Sequence, residues 1–432
     1  MPLQKPRNCG AWLISAPSSG QGKTSVTAAL ARHFRNRGLN VRVFKTGPDF
    51  LDPMMLERAS GAPVYQLDLW MVGQHAVRSL LYAAAQTADL ILVEGVMGLY
   101  DGEPSSADLA TCFKLPVVTV IDAGSMAQTF AAVAQGLARF KPIPYAGVIA
   151  NRVASSRHAE MIASGLTTDT PLLATLARSA EGGLPERHLG LVQAGELPDI
   201  EHKLDTLAKL LEASPPPLPS PVDFESSFEP PPPQLLANIR IGVARDAAFA
   251  FLYRANLDLL ADMGARLQFF SILNDERLPD CDALYIPGGY PELYAATLEE
   301  NESMRQEIQA FHAAGKPVYA ECGGMMYLMD TLTGKDGKTH RMCALLRGAV
   351  QMQTRVAAIG LQEVKLPEGI LRGHTFHYSK LETTMEPIAR ARSHPKGSAG
   401  EAVYRNGTLT ASYLHLYFPT NPIATARLFS RQ

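Results

Sequence analysis

Residues 16–24, which read APSSGQGKT, are the segment that most constrains the fold of this chain. They lie between an apolar run at 11–15 and a helical pattern at 23–37, which is followed by Gly38 as a stop. A buried strand, a glycine-rich loop and a helix in this order form a phosphate-binding loop. We therefore predict that the first half of the chain is an α/β domain built around a parallel sheet.

The loop keeps the groups that phosphate binding requires. Its pattern is G-x-x-x-x-G-K-[ST], and the chain matches this pattern at Gly22, Lys23 and Thr24. Pro17 replaces the first glycine, but Gly20 and Gly22 still allow the backbone to approach a phosphate. We expect Lys23 to neutralise the terminal phosphates and Thr24 to hold Mg²⁺. A glycine-rich turn that only capped a helix would not need both side chains.

Two carboxylates follow predicted strands beside this loop. Glu94 ends the apolar run at 90–94, and Asp49 lies just beyond the run at 41–45. Ligands bind at the carboxyl ends of the strands in open α/β folds, so both side chains can face the phosphate loop. Because Mg²⁺ prefers a few oxygen ligands, we predict a site formed by Thr24, Asp49 and Glu94.

Three further polar residues are candidates for contact with a substrate: Lys45, Asp52 and Asp101. The two aspartates follow predicted strand ends beside the phosphate site. Each also precedes a residue typical of turns, Pro53 or Gly102, so an ordinary turn is the alternative interpretation.

A second site is predicted around Cys322, within the segment YAECGGM at 319–325. The cysteine follows a buried-looking strand and precedes a helical run at 325–329. Such an elbow projects a nucleophile, and the start of the helix is expected to lower the pKa of the thiol. Gly323 and Gly324 permit the tight turn. We interpret the other cysteines as buried and inert: Cys9, Cys112, Cys281 and Cys343.

A thiol nucleophile needs a base, and three histidines are candidates. His415 lies in the segment YLHLYFP, whereas His374 and His377 lie in GHTFHYS. Their spacing does not choose among them. Gly288 and Gly289 follow another apolar run, and their backbone amides can hold the charge that develops on an attacked carbonyl oxygen.

A proline-rich segment divides the chain. Residues 214–236 contain the runs PPP and PPPP, and proline lacks a backbone donor, so we predict an extended linker there. A proline-rich ligand for a partner module is the alternative. On both sides, at 1–213 and 237–432, short apolar runs alternate with helical patterns. This alternation predicts two doubly wound α/β domains with mainly parallel sheets.

Composition argues against several classes of protein. The net charge is −2 and no long basic run is present, so we expect no nucleic-acid partner. No stretch of about 20 apolar residues occurs, so we expect no membrane association. The five cysteines contain no C-x-x-C pair, which argues against a zinc site or a disulfide framework and favours a reducing cytoplasm.

The first half resembles the cobyrinic acid a,c-diamide synthase family in three motifs: APSSGQGKT at 16–24, KTGPDFLDP at 45–53 and VEGVMGLYDG at 93–102. The nucleotide domain of that family is similar to dethiobiotin synthetase, in which ATP activates a carboxylate. The resemblance implies that Lys23 and Thr24 contact ATP and Mg²⁺. It also implies that Asp49 and Glu94 complete the metal site and that adenine is recognised near Asn151.

The second half resembles class I glutamine amidotransferase domains, in the variant attached to cobyrinic and cobyric acid synthases. The resemblance assigns Cys322 as the nucleophile and His415 as its base. Ala320 stands where these domains usually have a glycine, two residues before the cysteine. Tyr417 stands where they usually have an acidic residue, two residues after the histidine. We therefore interpret the site as a Cys–His dyad.

Together the two resemblances imply a glutamine-dependent, ATP-driven ligase. Its co-substrates would be ATP and L-glutamine, its metal Mg²⁺, and its substrate the corrinoid cobyrinic acid, amidated on the a and c acetate groups. Hydrogenobyrinic acid is the alternative substrate, followed by a nickel tetrapyrrole. A Walker-type nucleotide-switch ATPase is a different class of protein and would leave Cys322 without a purpose. The oligomeric state stays open, with a homodimer as one alternative.

Overall fold

A computed structural model of the chain describes residues 6–179, 186–187, 190–191, 193–227 and 230–430. The chain divides into two compact units, Met1–Glu229 and Pro230–Gln432. This division falls inside the proline-rich segment. None of the helices in the described residues combines the length and the apolar character that crossing a membrane would require.

The first unit is built on a parallel sheet. Its described strands are β1 (Arg7–Ser15), β2 (Val41–Lys45), β3 (Tyr65–Gln66), β4 (Leu90–Glu94), β5 (Val117–Asp122), β6 (Tyr145–Val153), β7 (Leu172–Ala177), β8 (Glu186–Arg187), β9 (Gly190–Leu191) and β10 (Pro221–Phe224). The helices are α1 (Lys23–Asn36), α2 (Leu51–Ser60), α3 (Gln74–Ala85), α4 (Ser106–Phe113), α5 (Thr129–Phe140), α6 (Ser156–Ala163) and α7 (Ile200–Leu210). The sheet order is β3-β2-β4-β1-β5-β6-β7, and all neighbours along it are parallel. Strand β4 is buried throughout, as expected of a parallel sheet covered on both faces.

Part of the predicted linker belongs to this sheet. Strand β10 pairs antiparallel with the start of β1. Val222 and Phe224 are buried, whereas Pro221 and Asp223 are exposed. Proline is tolerated as the first residue of a strand, and the next three residues alternate in the way that a half-buried strand requires. The interpretation as an extended linker is therefore wrong for Pro221–Phe224.

The second unit contains a larger, mixed sheet. Its described strands are β11 (Arg240–Ala244), β12 (Arg266–Phe270), β13 (Ala283–Ile286), β14 (Val318–Glu321), β15 (Thr331–Thr333), β16 (Thr339–Arg341), β17 (Ala349–Met352), β18 (Ala358–Leu366), β19 (Gly369–His377), β20 (Ser379–Glu382), β21 (Ala389–Ser393), β22 (Ala399–Asn406), β23 (Leu409–Ser412) and β24 (His415–Leu416). The helices are α8 (Arg254–Asp262), α9 (Ala295–Glu300), α10 (Glu302–Ala313), α11 (Gly323–Leu328) and α12 (Pro422–Phe429).

The ten-stranded sheet has the order β12-β11-β13-β14-β23-β22-β21-β18-β19-β24, and a smaller sheet has the order β16-β15-β17-β20. Pairing is parallel from β12 to β23 and antiparallel from β23 to β24. The predicted α/β class is confirmed, but the parallel sheet forms only one part of this unit. In β18, Val364 and Leu366 are buried while Lys365 is exposed, an alternation typical of an antiparallel strand with one covered face.

The two predicted functional loops occupy equivalent positions in their sheets. The phosphate loop follows the carboxyl end of β1, between β4 and β5 in the sheet order. Cys322 follows the carboxyl end of β14, between β13 and β23. Both loops thus lie at the edge of a parallel sheet where ligands usually bind.

Candidate active sites

The phosphate loop has a backbone that glycine adopts far more readily than other residues. Gly20 has φ 81° and Gly22 has φ 87°. A Cβ at Gly22 would also lie 2.2 Å from Nδ2 of Asn151. That amide group donates a hydrogen bond to the carbonyl oxygen of Gln21 at 2.9 Å. Asn151, which was predicted near the adenine, therefore holds the loop against β6.

The Lys23 side chain folds back onto the loop. Helix α1 begins at this residue, and its Nζ donates to the carbonyl oxygens of Ser18 at 3.1 Å and Met97 at 2.7 Å. Burial, followed by repulsion from Lys45, lowers its pKa to about 8. A phosphate oxygen would supply the negative charge that the two carbonyl groups do not.

A buried cluster of carboxylates surrounds Lys45 beside the loop. Its Nζ lies 2.6 Å from Asp52 Oδ2, 2.8 Å from Glu94 Oε1 and 3.7 Å from Asp49 Oδ2. The Thr24 hydroxyl donates to the same oxygen of Glu94 at 2.8 Å. The structure therefore brings the three predicted metal ligands together with two of the predicted substrate residues.

Burial raises the pKa of each carboxyl group in this cluster, and the positive charge of Lys45 acts in the opposite direction. Burial and repulsion from Asp52 raise the pKa of Asp49 to about 8. Burial also raises the pKa of Glu94, which Lys45 offsets only in part. For Asp52, burial is the largest single effect, but the attraction of Lys45 and the hydrogen bonds from neighbouring side chains together outweigh it, so its pKa is lowered. Burial disfavours the Lys45 ammonium as well, but the carboxylates outweigh it and raise the pKa. Lys45 is therefore the resident counter-ion.

The chemistry of this cluster fits Mg²⁺. Among the described residues, no three or more His, Cys, Asp or Glu side chains are arranged as a complete set of metal ligands. Mg²⁺ does not require such a cage, because waters and substrate phosphates complete its shell after one or two protein carboxylates. Glu94 Oε2 is buried and has no hydrogen-bond partner within the described part of the chain. An orphaned carboxylate oxygen beside Thr24 is suited to a metal that arrives with the nucleotide.

Asp101 lies in a turn next to the phosphate loop. Its Oδ2 accepts a hydrogen bond from the Gly98 amide at 3.0 Å. A Cβ at Gly98 would lie 2.7 Å from the carbonyl oxygen of Pro17. The carboxylate is therefore near the loop, but it forms the kind of turn contact that the alternative interpretation expected.

Cys322 forms a sharp turn between β14 and α11. Its φ of 44° and ψ of −108° are rare for a residue with a side chain. A Cβ at Gly324 would lie 2.2 Å from the Ile286 carbonyl oxygen, so the turn packs tightly against β13. The strand-to-helix elbow is present, as the sequence indicated.

The environment of the Cys322 thiol differs from the one expected at a helix start. The residue is buried, and this burial, with a smaller contribution from Glu292, raises the pKa of the thiol. Helix α11 has only six residues, so its dipole does not overcome this desolvation. The expectation of a lowered pKa is therefore wrong, and the uncharged thiol needs a base.

The glycine pair lies between the nucleophile turn and His415. A Cβ at Gly288 would lie 2.3 Å from His415 Cε1. On the other side, the Gly289 nitrogen would lie 2.9 Å from a Cβ at Gly323, the residue after the nucleophile. The structure thus brings together Cys322, His415 and both predicted oxyanion glycines.

The three candidate histidines have different surroundings. His377 Nε2 lies 3.0 Å from Glu401 Oε1. The His374 ring stacks on the ring of His415 at 4.9 Å, and its Nδ1 shares a hydrogen bond with the Tyr253 hydroxyl at 2.8 Å. Burial lowers the pKa of His374 to about 3. Burial, followed by His374 and His377, lowers the pKa of His415 well below its usual range. His415 is therefore a neutral imidazole that lies against Gly288.

Comparison with known proteins covers both halves of the chain. Residues 12–191 match a family described as "CobQ/CobB/MinD/ParA nucleotide binding domain", and residues 240–422 match "CobB/CobQ-like glutamine amidotransferase domain". Hydrogenobyrinate a,c-diamide synthase of Stutzerimonas stutzeri is 57% identical, over 98% of this chain and 99% of its own length. That of Pseudomonas aeruginosa is 57% identical over 98% of each chain. Cobyrinate a,c-diamide synthase of Herminiimonas arsenicoxydans is 53% identical over 97% of this chain and 96% of its own.

The chain belongs to the cobyrinate/hydrogenobyrinate a,c-diamide synthase family. As a member it is a glutamine-dependent amidoligase, with a nucleotide-binding half and an amidotransferase half. The family resemblance stated from the motifs is confirmed. Similarity along the whole chain also favours a ligase over a nucleotide switch, which would account for the first half alone.

Sequence reasoning missed one functional candidate, Glu321. The position where related amidotransferases have an acidic residue is occupied by Tyr417, whose ring packs edge-on against Tyr253 at 5.5 Å. Glu321 places a different carboxylate 3.9 Å from His415. The available signal was a charged residue at the end of a buried strand, directly before the nucleophile.

Proposed function

We propose that this enzyme converts the a and c acetate carboxylates of cobyrinic acid into amides in cobalamin biosynthesis. Each amide consumes one ATP and one glutamine. The observation that carries this proposal is the similarity, along nearly the whole chain, to curated a,c-diamide synthases that are 57% and 53% identical. The geometry of the two sites supports the division of labour between the halves.

The nucleotide-binding half activates the substrate carboxylate. Lys23 binds the terminal phosphates of ATP in place of the two carbonyl groups that it now contacts. Thr24, Asp49 and Glu94 would hold Mg²⁺, which would neutralise phosphate charge when bound. The backbone at Gly20 and Gly22 follows the phosphates. A substrate carboxylate oxygen then attacks the terminal phosphorus, the bond to ADP breaks, and an acyl phosphate forms.

The remaining predicted contacts are assigned to the substrate and the nucleotide. Lys45 and Asp52 contact the corrinoid, which is supported by their position in the cluster beside the phosphate loop. Asp101, which lies in the turn next to the phosphate loop, also contacts the corrinoid in this proposal. Asn151 holds the loop and contacts the adenine side of the nucleotide, which is supported by its hydrogen bond to the loop.

The amidotransferase half supplies ammonia. His415 accepts the thiol proton of Cys322, and the sulfur attacks the amide carbon of glutamine. The amides of Gly288 and Gly289 stabilise the negative oxygen of the tetrahedral intermediate. The imidazolium returns the proton to the departing nitrogen, ammonia leaves, and water hydrolyses the thioester to glutamate. Ammonia then displaces phosphate from the acyl phosphate and forms the amide.

Hydrogenobyrinic acid is the second candidate substrate. Two relatives that are 57% identical to this chain are named for their action on this acid. The two acids differ in the metal at the centre of the macrocycle, which need not contact the residues that carry out the amidation. A nickel tetrapyrrole has no comparable support. A cytoplasmic location and a homodimeric assembly stay predictions from the sequence.

Mass spectrometry of the reaction products tests the proposed function and the choice of substrate. Cobyrinic acid and hydrogenobyrinic acid are each incubated with the enzyme, Mg-ATP and glutamine. We expect two carboxyl-to-amide conversions on cobyrinic acid, and none when ATP is omitted. Conversion of hydrogenobyrinic acid alone would select the second candidate. Conversion of neither acid, with ATP still hydrolysed by the folded enzyme, would overturn both.

A further inference from the structure

A buried carboxylate approaches the base of the amidotransferase site from the strand that carries the nucleophile. Glu321 is the last residue of β14 and directly precedes Cys322. Its Oε2 lies 3.9 Å from Nδ1 of His415. Both side chains are almost fully buried, at 1% and 2% exposed respectively.

Three donors hold the Glu321 carboxylate in a fixed position. The hydroxyl of Tyr319 donates to Oε1 at 2.9 Å, and the hydroxyl of Tyr285 donates to Oε2 at 2.9 Å. The backbone amide of Leu416, the residue after His415, donates to Oε1 at 2.9 Å. One carboxylate therefore connects the strand of the nucleophile to the strand of the base.

The position of this carboxylate meets a chemical requirement of the reaction. When His415 accepts the thiol proton, a positive charge forms on a side chain that is almost fully buried, and such a charge needs a partner. Tyr417 cannot supply one, since it has no carboxylate at the usual position. His374, whose ring stacks on that of His415, is neutral and does not help.

We propose that Glu321 is a positioning residue that orients the His415 imidazole and stabilises its protonated form during glutamine hydrolysis. The proposal rests on the proposed function, because it assigns a task within the same amidotransferase site. It replaces the Cys–His dyad by a triad whose acid precedes the nucleophile in the sequence. Burial raises the pKa of Glu321 to about 8, with the three donors acting in the opposite direction. A cation on the neighbouring ring favours the carboxylate form.

Glu321→Gln tests this assignment because the amide keeps a carbonyl oxygen for the Leu416 amide but loses the negative charge. We measure kcat and KM for glutamate release, and separately the amidation supported by ammonium chloride. We expect the kcat for glutamine to fall by about 100-fold, the scale of a lost contribution to acid–base catalysis. We expect the KM for glutamine to change by less than about threefold and ammonium-dependent amidation to stay at the parent rate.

Glu368→Gln is the matched control, since Glu368 is another buried carboxylate of the same unit, at 2% exposed, and is paired with Arg405 instead of a histidine. We expect it to leave the kcat for glutamine at the parent value. If Glu321→Gln does not fold, Tyr285→Phe removes a single donor from the carboxylate and should lower kcat by about threefold to tenfold without changing KM. An unchanged kcat in folded Glu321→Gln, or equal losses with glutamine and ammonium, would overturn the assignment. A parent enzyme that releases glutamate but amidates neither acid would instead refute the proposed function.

Discussion

Replacing Lys45 by methionine isolates the electrostatics of the buried carboxylate cluster. Methionine keeps most of the volume of the side chain but removes the ammonium that lies 2.6 Å from Asp52 and 2.8 Å from Glu94. Removal of one member of a buried ion pair costs about 3–5 kcal/mol, because the other charge stays buried without a partner. For a unit of this size, each kcal/mol lowers the unfolding midpoint by about 2–4 °C. We therefore expect the midpoint of the first unit to fall by roughly 6–20 °C at pH 8.

The pH dependence of this loss follows from the direction of the pKa shifts. The pKa of Asp49 is raised to about 8 in the fold, so the folded state binds more protons than the unfolded state between the ordinary aspartate pKa and pH 8. That contribution favours the fold at low pH and is lost as the pH rises towards 8. Without Lys45, Asp52 and Glu94 titrate in the same direction. Lys45→Met should therefore lower the free energy of unfolding by more at pH 8 than at pH 5.

Scanning calorimetry measures this loss of stability. It is done on the whole chain without metal, at pH 5, 6, 7 and 8. Lys209→Met, on the exposed side of α7, is the control and should change the free energy of unfolding by less than about 0.5 kcal/mol. A loss below about 1 kcal/mol for Lys45→Met at pH 8, or a loss that shrinks as the pH rises, would refute the reasoning. Either result would mean that the carboxylates carry no charge that depends on Lys45.

Three further substitutions test the geometry of the sites and the fold. Gly22→Ala places a Cβ 2.2 Å from the side-chain amide nitrogen of Asn151, so the KM for ATP should rise at least about tenfold in steady-state kinetics. Gly38→Ala is the control: Gly38 has φ 88° but open space around it, so this change should leave the KM for ATP unchanged. Phe224→Ala should lower the free energy of unfolding by about 3 kcal/mol in urea titrations, whereas no loss would mean that this segment is a linker after all. Gly288→Ala places a Cβ 2.3 Å from the His415 ring and forces the ring to move, so glutamine-dependent turnover should fall at least about tenfold while ammonium-dependent turnover persists. Equal losses of the two activities would contradict the assignment of this glycine.

Local patterns indicated both candidate sites, because the residues that define each site are neighbours in the sequence. Gly22 and Lys23 share one loop, so their spacing is readable without tertiary contacts. Cys322 is flanked by a buried strand and two glycines that permit its strained turn. The strands Val41–Lys45 and Leu90–Glu94 have the bounds that their apolar runs indicated, because continuous apolar runs mark strands buried on both faces.

Features that depend on distant contacts could not be read in the same way. Lys45 forms the centre of the carboxylate cluster only because β2 and β4 are neighbours in the sheet. Glu321 lies close to His415 only because the fold brings together β14 and β24, two strands that are far apart in the sequence. The strand at Pro221–Phe224 was concealed by the prolines around it, and its partner lies at the other end of the unit. Burial also reversed the expected pKa direction of Cys322, since the amount of surrounding protein cannot be judged from an elbow motif.

The most direct test of the central claim, that one half makes ammonia and the other uses it, is the amidation rate of Cys322→Ala with glutamine and with ammonium chloride as alternative nitrogen sources. Cys343→Ala, which alters a buried cysteine outside the elbow, is the matched control. We expect Cys322→Ala to lose all glutamine-dependent amidation and to retain the parent rate with ammonium and Mg-ATP. Loss of both activities in a folded variant, or retention of the glutamine-dependent one, would contradict the separation of the two sites.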